Sequence, residues 1–199
     1  MEMVRTESFA LALLGLLLLA SCGQEAPIPR PRGFFRIEMP ERQWRQVEST
    51  CGPQFEVAQY AGVVPADNGG SADGFCGFNV AFPMFQAVLH CTYVELARSE
   101  QLDKLVEDAH GMAFNHDIKA TGIGRQQFEF AERRVFGLVY NLEGPVATPV
   151  QFYATDSLNH YLRGSLYFAH EPQPDSLAPS LGHIRGDIAH LIETLQWPN

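Results

Sequence analysis

Residues 85–93 read Phe85-Gln-Ala-Val-Leu-His-Cys-Thr-Tyr93, and their period of two decides the fold class. Phe85, Ala87, Leu89, Cys91 and Tyr93 fall on one side, Gln86, His90 and Thr92 on the other. Successive side chains of a strand point to opposite faces, so this is a half-buried strand whose odd positions enter a core.

The same alternation continues downstream. Val150–Thr155 and Tyr161–Phe168 predict a hairpin about Asp156-Ser-Leu-Asn159, with Leu162, Gly164, Leu166 and Phe168 facing in and Tyr161, Arg163, Ser165 and Tyr167 facing out. Phe128–Phe130 and Phe136–Tyr140 add aromatic strand segments, and Phe34–Ile37 and Phe55–Tyr60 contribute near the start. The turn-rich run from Ala66 to Gly74 separates two strands, not two domains. These segments together predict an antiparallel sheet.

Two stretches change to helical period. Ser99 is placed to cap a helix whose Leu102, Leu105, Val106, Ala109 and Ala113 form one stripe, with Glu100 and Asp103 near its positive end. A second helix runs from about Asp175 to Trp197, where Leu177, Leu181, Ile184, Ile188, Leu191, Ile192 and Leu195 cover one arc. Both are expected to lie on the same sheet. The class is therefore α+β, an antiparallel sheet packed by a central helix and a long C-terminal helix, in a single domain over 34–199.

Composition bounds the function. The chain has 199 residues, 46% of them hydrophobic and 19% charged, which excludes collagen, coiled coil and wholesale disorder. A formal charge of −9 argues against a general nucleic-acid binder, which needs a basic footprint. The longest apolar run, Phe9 to Ala20, falls short of the roughly 20 residues of a spanning helix.

That run instead reads as the apolar segment of a signal peptide over 1–21, with Arg5 before it. Leu19-Ala-Ser-Cys22 resembles the bacterial lipoprotein box, which makes Cys22 the lipidated N-terminus of the mature chain. Each buried methylene contributes about 0.8 kcal/mol, so two or three palmitate-type acyl chains hold such a protein at a membrane almost permanently. Residues 22–33 continue as a proline-rich spacer with extended geometry. Residues 22–45 carry a net +2 and residues 46–199 a net −10. The arginines Arg30, Arg32, Arg36, Arg42 and Arg45 either meet anionic headgroups or an acidic partner, or form a solvated, salt-bridged surface.

With Cys22 lipidated, three cysteines remain. Cys91 lies on the inward face of its strand, whereas Cys51 and Cys76 precede turn residues and form the candidate disulfide. His183, Asp187 and His190 fall within about 60° of one another on the last helix, a spacing open to a metal, but they also mark a polar rim beside the apolar arc. The rim is the stronger reading, and no metal or other cofactor is expected. Asp156, His160 and Ser165 have the residue types of a hydrolytic triad, yet the nucleophile elbow is absent and Ser165 sits in an alternating strand. No catalytic residue is assigned. Thr121-Gly-Ile-Gly124 reads as a helix stop and turn, not a phosphate loop.

Several blocks in order carry a resemblance: Pro29-Arg-Pro-Arg-Gly-Phe-Phe-Arg-Ile37 with Pro40, Cys76-Gly-Phe-Asn-Val-Ala-Phe-Pro83, Val150–Ser157 with His160–Gly164, Asp175–Pro179 and Asp187–Trp197. Together they resemble the GldD family of gliding-motility lipoproteins of Bacteroidetes-type bacteria. The resemblance implies a non-enzymatic envelope lipoprotein required for gliding, with partners in the gliding and type IX secretion machinery, at the outer membrane facing the periplasm. Of the family's residues only Cys22 carries a molecular role across. A different class of function, a lipid-anchored ligand carrier or hydrolase, requires a pocket between the helices and the sheet.

Overall fold

The computed structural model describes residues 38–66, 74–115, 119–169 and 174–198. Among the described residues nine strands and two α-helices follow in the order β1 (Trp44–Glu48), β2 (Gln54–Ala58), β3 (Gly62–Pro65), β4 (Phe75–Phe82), β5 (Ala87–Glu95), α1 (Ser99–Phe114), β6 (Gly122–Phe130), β7 (Val135–Glu143), β8 (Val150–Thr155), β9 (His160–Phe168) and α2 (Pro174–Thr194). Seven strands form one antiparallel sheet in the order β3-β4-β5-β9-β8-β7-β6, and β1 and β2 form a separate hairpin. The class is α+β, as the alternating segments and two helical stripes predict.

The strand that opened the reading begins two residues later than expected. Pro83–Phe85 make one 3-10 turn, and Gln86 then takes a left-handed conformation (φ 50°) before β5 starts. The β6–β7 turn repeats the device with Ala131–Arg133 and Arg134 (φ 53°). Neither Gln nor Arg is a residue that favours positive φ, so neither announces its turn in sequence. From Ala87 onward the alternation holds, with Ala87, Leu89, Cys91 and Tyr93 buried and His90 exposed.

Both helices lie on the large sheet, as expected, and they cover its opposite faces. Ile184, Ile188, Leu191 and Ile192 of α2 join Leu89, Phe152, Leu162 and Leu166 in the main core. On the other face Leu102, Leu105 and Val106 of α1 pack with Val94, Leu96 and Tyr161. Fully burying an aliphatic side chain of this size contributes about 1.5–3 kcal/mol, so the α2 stripe alone accounts for much of the closure. The second layer also buries part of the outer face of β9, whose in–out orientation is as expected. Tyr161 and Ser165 do point away from the main core, yet both are buried. The Tyr161 hydroxyl lies under α1 and donates to the Leu105 carbonyl at 3.1 Å.

Two local expectations fail. Arg98, not Ser99, occupies the cap position of α1, with no side-chain cap bond. The Gln101 side chain instead accepts from the Ala97 N–H at 3.2 Å. Thr121-Gly-Ile-Gly124 does not form a turn; Gly122 opens β6, and Ile123 joins a small cluster with Tyr140 and Leu142.

The β1–β2 hairpin is bound to the remainder at both ends. Phe55 and Val57 of β2 enter the main core, Phe55 stacking on Phe78 with ring centroids 5.6 Å apart. Gln54 and Gln196 exchange backbone hydrogen bonds of 3.0 and 2.8 Å just beyond α2, so the C-terminal helix ends at Thr194, short of Trp197.

Gly164 of β9 lies directly under the Phe152 ring, and a Cβ there overlaps the ring atoms. Gly164→Ala is expected to lower the unfolding free energy by about 1–3 kcal/mol. Urea denaturation checks this, and Phe152→Leu in the same chain should recover part of the loss.

Candidate functional site

One rim of the C-terminal helix, beside its apolar arc, holds the side chains singled out as chemistry-bearing. There Asp187, only 4% exposed, receives Arg42 Nε on Oδ1 at 2.9 Å and the Tyr60 hydroxyl on Oδ2. A second guanidinium nitrogen of Arg42 donates to the His183 carbonyl at 2.8 Å. Gly186 makes this approach possible, because a Cβ at that position would strike the guanidinium. The Tyr60 phenol is held well above its usual pKa, by burial first and then by donation to Asp187.

His183 rests against the rings of Phe85 and Tyr60, with centroids 5.6 and 6.0 Å away. Its Nε2 is buried without a hydrogen-bond partner among the described residues. Burial pushes the imidazole below its ordinary pKa, against the opposing field of Asp187.

One helical turn further, His190 Nε2 meets Glu56 Oε2 at 2.7 Å, and its ring stacks on Trp44 with centroids 3.7 Å apart. Thr194 closes this end, accepting the Glu56 N–H at 2.9 Å while donating to the His190 carbonyl at 2.8 Å. The three helix residues therefore do not converge on a shared point. His183 and Asp187 share Arg42 and Tyr60, whereas His190 meets Glu56 and Trp44, so the rim is a seam between the helix and the N-terminal hairpin with the segments beside it. Among the described residues no group of three or more His, Cys, Asp or Glu side chains is placed to hold a metal ion.

Cys51, in the β1–β2 turn, and Cys76, in β4, are joined by a disulfide that ties this hairpin to the large sheet. Cys91 is a free thiol inside the core, where burial raises its pKa far above the ordinary range. Cys22, Arg30, Arg32 and Arg36 lie outside the described residues, as does the expected Phe34–Ile37 strand. Arg45 donates to the Ala61 carbonyl at 2.8 Å, so it and Arg42 serve internal contacts.

Asp156, His160 and Ser165 are separated. Asp156 Oδ1 accepts the N–H groups of Leu158, Asn159 and His160 at 2.9, 2.8 and 2.8 Å, which closes the β8–β9 hairpin. Burial opposes ionisation here, but the three donors prevail and hold the carboxyl below the usual carboxylate range. His160 Nδ1 lies 2.7 Å from the Tyr93 hydroxyl, and its ring stacks on Trp197. The Tyr93 phenol is pushed up to about 12, chiefly by burial. Ser165 is five positions along the same strand, an odd interval that puts it on the opposite face, roughly 17 Å away at the rise of a strand. No hydrolytic triad forms.

A groove of about 230 Å³ opens between α2 and the outer strands, walled by Phe128, Phe130, Val139, Ile188 and Ile192. Arg185 stands between it and a second hollow of about 190 Å³. Its Nε is buried without a partner among the described residues. Burial lowers the guanidinium pKa, against the field of Glu143. Arg42, Trp44, Glu56, Tyr60 and Arg185 were not legible as partners in sequence. One signal existed at Gly186, since glycine inside a helix weakens it and often marks a close approach.

These features define an α+β domain whose closing helix is sewn to the N-terminal hairpin by a polar seam. A family model described as gliding motility lipoprotein GldD matches residues 24–197, and the chain belongs to that family. It is accordingly a gliding-motility lipoprotein anchored by lipid in the cell envelope. No curated protein and no solved structure matches the chain.

Two predictions follow from the geometry. Asp187→Ala removes the buried acceptor shared by the exposed Arg42 and the half-buried Tyr60 and is expected to cost about 1–3 kcal/mol in urea unfolding. A double-mutant cycle with Tyr60→Phe should return a coupling well above zero. Asp156 has a depressed folded-state pKa, so its contribution is complete above the unfolded carboxyl value near 3.9 and fades as pH falls through the folded value. The stability gap between the wild type and Asp156→Ala should narrow below about pH 4, as chemical denaturation at pH 7, 5 and 3 can measure.

Proposed function

We propose that the protein is a non-catalytic assembly factor of the gliding and type IX secretion machinery, tethered through Cys22 at the outer membrane and facing the periplasm. Family membership supplies the process. The observation that carries the non-catalytic role is that Asp156, Asp187 and His190 each spend their polar atoms on closing the fold. No helix of the described residues is long and apolar enough to cross a membrane, which accords with a lipid tether.

The test is made in the native host. Deletion of the gene should abolish spreading and reduce type IX secretion, and the intact protein, not Cys22→Ala, should restore both. The alanine variant should leave the outer-membrane fraction. Ser165→Ala and His190→Gln, if folded by circular dichroism, should restore gliding fully. Loss of gliding in a folded variant of this kind would count for an enzyme, and crosslinks confined to unrelated proteins would remove the assembly role. A second reading, a carrier of an apolar ligand, is favoured by the groove beside Arg185. Mass spectrometry of the protein extracted in mild detergent decides it, by finding or not finding a stoichiometric lipid.

A further inference from the structure

The seven-stranded sheet has two edges of very different kind. At one end β3 is four residues long and finishes in Pro65, a short edge with a residue that cannot donate. At the other end β6 runs nine residues, Gly122-Ile-Gly-Arg-Gln-Gln-Phe-Glu-Phe130, without proline and in unbroken register with β7. No strand of the described residues pairs with its outer side. Arg125, Gln126, Gln127 and Glu129 along it are exposed. A long, regular, open edge is a template for another strand unless something blunts it.

We infer that this edge pairs with β6 of a second copy of the chain, antiparallel about a two-fold axis through Gln127. Two strands extending one sheet on the same faces must pair residues of equal parity, so only alternate registers are open. The charges choose among them. With Gln127 opposite itself, Arg125 of each copy faces Glu129 of the other, twice over. A shift of one allowed step toward the N-terminus sets Arg125 opposite Gln127, and the step in the other direction sets Glu129 opposite Gln127. A second step either way opposes Arg125 to Arg125 or Glu129 to Glu129, which directly opposite like charges disfavour.

The other face agrees with the same register. Phe130 comes opposite Gly124 and Phe128 opposite Gln126, so an aromatic ring covers the bare glycine at Gly124, while Gly122 falls opposite Glu132 beyond the strand. These are also residues that wall or border the groove under α2, and pairing brings the two grooves together across the axis. The contact is small, but copies held by lipid on one membrane meet at a raised effective concentration, which a modest interface can exploit.

The test uses the full lipidated chain in phosphatidylethanolamine–phosphatidylglycerol vesicles. Gln127→Cys places two thiols opposite each other at the axis, with Cβ atoms about 4.5–5.5 Å apart, and mild oxidation should trap a covalent dimer. Arg125→Cys, whose copies stand four positions apart, should stay monomeric. In the Gln127→Cys background, Arg125→Glu or Glu129→Arg alone should cut trapping several-fold, and the two together should restore it. A monomer at Gln127→Cys, dimerisation at Arg125→Cys instead, or a charge reversal that the double variant fails to rescue would each overturn the pairing. Trapping of Gln127→Cys onto a different protein in native envelopes, in place of its own copy, would overturn the second-copy assignment.

Discussion

The structure depends on the burial of the apolar arc of the C-terminal helix. Ile184, Ile188, Leu191 and Ile192 are each no more than 2% exposed, and they form the boundary between the large sheet and the first hairpin. Neither β1 nor β2 belongs to the seven-stranded sheet, and a lone hairpin is marginal in water. What makes it part of the domain is that Phe55 and Val57 share the floor of this helix, while Asp187 and His190 hold its edge from the rim. Hydrophobic burial supplies the energy, and the charged seam fixes the register at which the hairpin docks.

Much of this was readable. Period two in Ala87–Tyr93 and in Val150–Phe168, and the stripe from Leu177 to Leu195, identify the sheet, one hairpin and the closing helix because each signal lies within a single element. What was lost lies between elements. Tyr161 and Ser165 look solvent-facing by alternation, but α1 adds a second layer that the pattern of β9 does not contain. Ser99 has the chemistry of a cap, yet the extended residue before the helix is Arg98 and the local donor is satisfied by Gln101.

The polar residues show the same division. His183, Asp187 and His190 were placed on one rim by their spacing, and the structure does place them there. Their partners come from more than 120 positions away: Arg42, Tyr60 and Glu56. No spacing rule reaches that far. For Arg42 the alternative of a solvated, salt-bridged surface is the one that fits, since its exposed side chain pairs with a buried carboxylate and a helix carbonyl. Gly186, which leaves room for it, was the only local trace of the contact.

The first described strands and the C-terminal residues are fastened to the same body at several points. The first described strands do not end freely: the Gln54–Gln196 bridge, the Cys51–Cys76 disulfide and the Arg42–Asp187 pair tie them respectively to the C-terminal residues, to β4 and to α2. Of these the ion pair comes first along the chain, and its carboxylate is almost fully buried while the guanidinium side chain stays 39% exposed. An exposed pair is worth little by itself, but one half buried with two further hydrogen bonds to fixed acceptors and donors resists separation more strongly.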